Sequence, residues 1–167
     1  AAGGGKSDAL LAAALQYVDH PGYAALILRR TFAELALPDA IMARSKEWLT
    51  PHIGKSVRWN ESEKTWTFTE SGATITFGYL ERDDDVYRYQ GSAYQFVGWD
   101  ELTQFPERPY VYMFSRQRRR KGVEVPIRVR AASNPGGVGH GWVLKRFPIQ
   151  PNVTPAGREG RVFIPAK

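Results

Sequence analysis

The chain opens Ala1-Ala2-Gly3-Gly4-Gly5-Lys6-Ser7, the latter part of a G-x-x-x-x-G-K-[ST] phosphate loop whose first glycine would lie one residue upstream. No other feature constrains the fold as tightly. Glycines let the backbone turn its N–H groups toward phosphate oxygens, a lysine adds a point charge, and the hydroxyl of Ser7 is offered to magnesium. Such a loop works only where it opens a helix, and Ser7 to Leu15 supplies strong helix formers with apolar residues at helical spacing. The strand that should lead into the loop is absent from this sequence, so the chain reads as a fragment beginning inside the motif.

Beyond the first helix, the pattern is one of alternating strands and helices. Tyr23 to Leu28 is a continuous apolar run after the Pro21-Gly22 break, the pattern of a parallel strand buried on both faces. Phe32 to Leu49 reads as helix with a break near Pro38-Asp39. Between residues 56 and 80 the period changes to short alternating segments, Val57–Trp59, Thr65–Phe68 and Ala73–Phe77, which predict a β-meander inserted in a single ATPase-sized domain spanning 1–167. Glu81 to Asp85 reads as an acidic loop, Tyr94 to Trp99 as a strand, Pro109 to Arg120 as a helix, and Ile127 to Ala132 as a further buried strand. A short helix over Trp142 to Phe147 and a last strand over Arg161 to Ile164 complete the reading.

Length is ample for a core: the 167 residues are 43% hydrophobic. Lys and Arg number 23 against 17 Asp and Glu, a charge of +6 that suits a polyanionic partner. Arg116, Arg118, Arg119, Arg120 and Lys121 concentrate that charge. The absence of cysteine excludes a disulfide framework and thiolate metal sites, and fits a reducing compartment such as cytoplasm. No apolar run is long enough to span a bilayer, so no membrane partner is expected.

Two further motifs carry chemistry. Tyr94 to Trp99 ends at Asp100-Glu101, a carboxylate pair at the C-terminal end of an apolar strand, where open α/β sheets bind ligands. In this Walker B arrangement Asp100 would hold magnesium and Glu101 would orient the water that attacks a γ-phosphate. Arg130-Ala131-Ala132-Ser133-Asn134-Pro135-Gly136-Gly137 ends another strand with a hydroxyl and an amide able to sense that phosphate; the same residues also make a good turn. His140 is not assigned a metal or acid–base role, because the three histidines lack ligand spacing and phosphoryl transfer needs no imidazole. The five tryptophans read mainly as core, with Trp59 and Trp66 the two that a nucleic-acid base could stack on.

The order of these motifs resembles the ATPase domain of large terminase subunits, the DNA-packaging motors of tailed phages. The stretches that match are Gly3 to Leu10, Tyr89 to Ser92, the Asp100-Glu101 strand, and Ser133 to Gly137 running into Gly139-His140-Gly141-Trp142-Val143 and Arg146-Phe147. The resemblance implies a P-loop fold of the additional-strand, catalytic-glutamate type, a mainly parallel sheet flanked by helices. It implies Mg2+ and ATP as cofactors, with Gly3, Gly4, Gly5, Lys6, Ser7 and Asp8 on the nucleotide. Ser7 and Asp100 would hold the metal, Glu101 and Lys6 would be catalytic, and Ser133 and Asn134 would couple hydrolysis to movement. Implied partners are double-stranded DNA, the capsid portal, a small terminase subunit and further copies of the chain in a ring, all in the host cytoplasm. Nuclease activity is not expected of this fragment.

A charge-neutralising arginine is also expected, in cis or from a neighbouring subunit. Arg116, Arg118, Arg119 and Arg120 are the favoured candidates as finger or DNA contact, while Arg29 and Arg30 stand equally for a role near the crevice or a surface ion pair. Two alternatives share parts of the pattern: another P-loop translocase of helicase type, and a truncated remnant that binds DNA without turnover.

Overall fold

The computed structural model describes residues 5–119, 121–147, 161, 163 and 164. Helix α1 (Lys6–Leu15) starts after Gly5, and β1 (Ala24–Arg29) comes next. The apolar run of β1 alternates between two cores, with Ala25 and Ile27 on one face of the sheet and Leu26 and Leu28 on the other. A strand buried on both faces has no polar side to spare, which explains the unbroken run and marks the strand as central.

Six strands form one sheet in the order β2-β3-β4-β1-β5-β6. They are β2 (Val57–Asn60), β3 (Thr65–Phe68), β4 (Thr74–Tyr79), β5 (Phe96–Asp100) and β6 (Arg128–Ala132) beside β1. Strands β4, β1, β5 and β6 run parallel, and β2, β3 and β4 pair antiparallel. The expected meander is therefore joined to the parallel sheet through β4, whose residues Thr74 to Tyr79 align with Ala24 to Arg29. Helix α1 packs over β5 and β6 on one face, and Leu10, Leu11 and Ala14 are buried there.

The helical stretch after β1 divides as expected into α2 (Phe32–Leu35) and α3 (Ile41–Leu49) on either side of Pro38. Thr31 starts α2 through a capping box with Glu34. Other expectations need correction. The acidic loop is the start of a 3-10 helix over Asp83–Tyr89, because Asp85 accepts from the Arg82 N–H and pairs with Arg88. Helix α4 (Glu107–Met113) and one 3-10 turn to Arg116 replace the predicted helix ending at Arg120. Continuing it would stack like charges at positions 116, 119 and 120 on one face. The chain instead extends alongside Tyr94: Tyr94 N–H donates to Arg116 O at 3.1 Å and Arg118 N–H to Tyr94 O at 3.2 Å. Helix α5 (His140–Arg146) begins two residues earlier than expected. Arg161, Phe163 and Ile164 lie in no strand.

Trp66 and Trp99 are each only 1% exposed and belong to the cores, so Trp66 offers no stacking face. Trp59 packs on Trp66 with ring centroids 4.8 Å apart and carries the Lys46 ammonium over its ring. No helix among the described residues is long and apolar enough to cross a membrane.

Candidate phosphate and metal site

The ends of three parallel strands and the start of one helix meet at a single edge of the sheet. Gly5 adopts φ 64° and ψ 13°, a left-handed turn that glycine takes without penalty, and its carbonyl accepts from Ala9 N–H at 2.8 Å. That turn aims the first N–H groups of the ten-residue α1 along the helix axis, the positive end of its dipole. Gly3 and Gly4, expected to complete the loop, lie outside the described residues, as does Arg120.

Ser7 sits in the first turn of α1 and its hydroxyl donates to Asp100 Oδ1 at 3.1 Å across 93 residues of sequence. Asp100 is the last residue of β5 and is 1% exposed. A buried carboxylate needs a compensating charge. Arg29, the last residue of the adjacent β1, provides it with Nη1 2.7 Å from Asp100 Oδ2. Arg29 is thus a part-buried partner of the expected metal ligand and not a surface ion pair. Arg30 turns away and donates to the Leu80 carbonyl. Asp8 pairs with Arg44 of α3 at 3.0 Å.

Glu101 has φ 58° and ψ 57°, a left-handed conformation that costs a non-glycine residue about 1–2 kcal/mol. The turn reverses the alternation of the strand, so the carboxylate comes round to the same edge as Asp100. Asn134 holds it from two sides: the backbone N–H donates to Oε2 at 3.1 Å and Nδ2 to Oε1 at 2.9 Å. Asp100 and Glu101 therefore have different partners, one cationic and one neutral, as two different tasks would require.

Ser133 and Asn134 leave β6 and are tied to the turn after Glu101 through Thr103, a residue the sequence did not single out. Thr103 is 4% exposed. Its N–H donates to Ser133 Oγ at 3.0 Å, its hydroxyl lies 2.8 Å from the same oxygen, and it also donates to the Asn134 carbonyl at 2.9 Å. The clamp continues with Gly139 N–H on Thr103 O at 2.7 Å and Trp142 Nε1 on Phe105 O at 2.8 Å. The glycine-rich block after Asn134 is thus a strap across the turn that carries Glu101. His140 takes a structural place, with Nδ1 accepting from Gly136 N–H at 3.2 Å.

The donors gathered here are hard oxygens, a hydroxyl and a carboxylate. They fit Mg2+, which takes one or two protein oxygens and fills the remaining positions with phosphate and water. Among the described residues no group of three or more His, Cys, Asp or Glu is gathered to hold a metal. The arginine cluster is elsewhere. Arg116 and Arg118 flank Tyr94, before the start of β5, whereas Asp100 is its last residue, so they lie about 20 Å from the carboxylates at a strand rise of ~3.3 Å per residue. A solvent-open recess of about 520 Å³ lined by Arg58, Trp59, Asn60, Glu61 and Thr67 lies at the antiparallel side of the sheet, away from β5 and β6.

A glycine turn opening a helix, over parallel strands that end in two carboxylates and a hydroxyl–amide pair, is the arrangement of a P-loop fold. The family described as terminase large subunit, T4likevirus-type, N-terminal, matches residues 1–142, and the chain belongs to it. Solved structures agree on the fold. The large terminase of a thermophilic bacteriophage, in complex with ADP, superposes with a TM-score of 0.57 at 18% identity, covering 81% of this chain and 32% of that one. An ATPase-domain variant of the Thermus phage P74-26 large terminase gives 0.57 at 15%, covering 92% and 64%. The unsubstituted P74-26 ATPase domain gives 0.53 at 14%, covering 87% and 61%. The chain thus spans about a third of the ADP-bound terminase. A search of curated protein sequences found no match.

Proposed function

We propose that this chain is the nucleotide-hydrolysing part of a phage DNA-packaging motor. The observation that carries the reading is the convergence of Ser7, Asp100, Glu101 and Asn134 at the N-terminus of α1, on the C-terminal edge of a parallel sheet. The ADP complex of the thermophilic-phage terminase supports a nucleotide as ligand.

In this reading the loop through Gly5 and Lys6 holds the phosphates of ATP, and the Ser7 hydroxyl and Asp100 carboxylate hold Mg2+. The metal supplies charge neutralisation for the transferred phosphoryl group. Glu101 orients and polarises the attacking water, since its carboxylate is aimed by the Asn134 pincer. When phosphate leaves, Asn134 is the group positioned to register the change, and the Thr103 strap passes it to the backbone after β5. Arg116, Arg118, Arg119 and Arg120 act on double-stranded DNA or on the site of a neighbouring copy in a ring; for Arg116 and Arg118 the reading is supported by their place beside Tyr94, at the opposite end of β5 from the carboxylates. The reading extends to association with a capsid portal and a small terminase subunit in the host cytoplasm, which family membership supports.

Glu101→Gln tests the assignment. It is expected to lower ATP turnover by about 10²–10⁴-fold while leaving ADP affinity within a factor of a few. Turnover equal to that of the parent chain, or no nucleotide binding by either protein, would overturn it.

A further inference from the structure

Arg29 stands where a cation bound to Asp100 would crowd it. Its Nη1 is 2.7 Å from Asp100 Oδ2, while Ser7 occupies Oδ1 at 3.1 Å, so both carboxylate oxygens are engaged before any metal arrives. A divalent ion and a guanidinium on the same buried carboxylate repel each other, so one must yield. The rest of the arginine shows where it would go. Its Nε is buried and has no hydrogen-bond partner, an uncommon condition for a buried donor. Glu34 Oε2 lies 3.9 Å from it, about 1 Å beyond hydrogen-bond length. Glu34 is itself fixed by the capping box with Thr31, whose N–H and hydroxyl donate to Oε2 at 3.2 and 3.1 Å. Its side chain is 36% exposed, so it can receive a charge without a large desolvation cost.

We infer that Arg29 is a built-in counter-cation for Asp100 that exchanges with the nucleotide's divalent metal, moving its guanidinium onto Glu34 as the metal arrives. The exchange rests on the proposed nucleotide site and adds two residues to it, both outside the phosphate loop. It would neutralise Asp100 whenever no metal is bound and make metal arrival a mechanical event at the junction of β1 and α2. Arg29 acts as a positioning residue: it sets the free energy of the metal site without holding the metal.

The test is a Mn2+ titration of the whole chain, followed by loss of the free ion's electron paramagnetic resonance signal, with and without ADP. Arg29→Met is expected to bind Mn2+ roughly tenfold more tightly than the parent and to melt at a lower temperature in the absence of divalent ion. Should Arg29→Met fail to fold, Arg29→Lys, a poorer fit to the carboxylate, is expected to show the same direction with a smaller gain. Glu34→Gln retains the capping box and is expected to bind Mn2+ more weakly, because the displaced guanidinium loses its second seat. Equal or weaker Mn2+ binding by the Arg29 variants would overturn the exchange, and an unchanged Glu34→Gln would overturn the second seat. Absence of ADP binding in every chain would sink the nucleotide reading instead, and the ADP-free arm would still decide between Arg29 and the metal.

Discussion

Two glycines separated by one residue should respond very differently to alanine. Gly139 is buried with φ −91°, so alanine meets no conformational penalty and the effect is steric. A Cβ there would lie 2.3 Å from Phe105 O, 2.7 Å from Trp142 Nε1 and 3.0 Å from Thr103 O. Two of these contacts are backbone carbonyls that cannot rotate aside, so the strap must lift by about 1 Å from the turn after β5. Lifting it breaks Gly139 N–H on Thr103 O and Trp142 Nε1 on Phe105 O, roughly 1 kcal/mol each. Residual overpacking adds about 1–2 kcal/mol, and the entropy alanine removes from the unfolded chain returns about 0.5 kcal/mol. The expected net loss is about 2.5–3.5 kcal/mol, or a fall in Tm of roughly 5–14 °C for a chain of this size. Gly141→Ala, in α5 with no heavy atom within 4 Å of the added carbon, should be neutral or raise Tm by about 2 °C. Thermal unfolding followed by circular dichroism decides the stability half, and steady-state ATP turnover below Tm decides the functional half. Because the same strap carries the Asn134 pincer on Glu101, Gly139→Ala should lose turnover with ADP affinity retained. Melting of Gly139→Ala within a degree of the parent would refute the strap.

The opposite end of the sheet gives a contrasting case. Gln95 is fully buried, accepts from Ala24 N–H at 2.8 Å and donates to Arg118 O at 2.9 Å, so Gln95→Leu strands two backbone groups and should cost about 2–3 kcal/mol. Calorimetry should show the lower Tm, while turnover per folded molecule stays at the parent value; loss of turnover with unchanged Tm would contradict the placement. On the antiparallel strands, hydrogen bonds from Lys64, then Trp59 and Lys46, lower the Glu61 pKa from 4.5 to about 2. A group depressed on folding contributes above its unfolded value, so this contribution is complete above pH 4.5 and is lost as pH falls toward about 2. At low salt the parent's Tm should drop more steeply than that of Glu61→Gln between about pH 5 and 2, and parallel curves would dismiss the network.

The six strands of the sheet and the start of α1 were legible because each depends on local pattern. The run Tyr23 to Leu28 can be buried on both faces only in a parallel sheet, and the Gly5-Lys6-Ser7 turn can serve only a helix start. Partnership across the sheet was harder to read. Arg29 and Asp100 are each the first charge beyond an apolar run, and the parallel register that sets Leu28 against Trp99 puts those two residues side by side. Knowing that β1 and β5 are neighbours would have predicted the pair, but adjacency is a property of the topology and not of either segment. Thr103 left no such trace, since a threonine three residues past a strand is unremarkable until the strap from Gly137 to Trp142 is laid over it. The arginine cluster misled for a different reason: helical propensity favours continuing α4, and the tertiary pairing of Arg118 with Tyr94 wins over it.

The strained Glu101 connects these observations. A left-handed glutamate is tolerated only where its surroundings fix it more tightly than the strain repels it. Here three anchors do so: the Asn134 pincer on the side chain, the Gln104 N–H on the Glu101 carbonyl at 2.9 Å, and the Thr103 knot with Ser133 one turn later. The first of these is the one that a ligand beside Glu101 can compete for, since both amides of Asn134 face the carboxylate edge. Releasing it leaves about 1–2 kcal/mol of backbone strain held by the remaining two. That is enough to bias the turn between two arrangements without unfolding it. The strain and its competable anchor are therefore what would make the turn after β5 a switch, so that under the proposed function Glu101→Gly, which removes the strain, is expected to uncouple DNA movement from nucleotide state even where a substitute base restores hydrolysis.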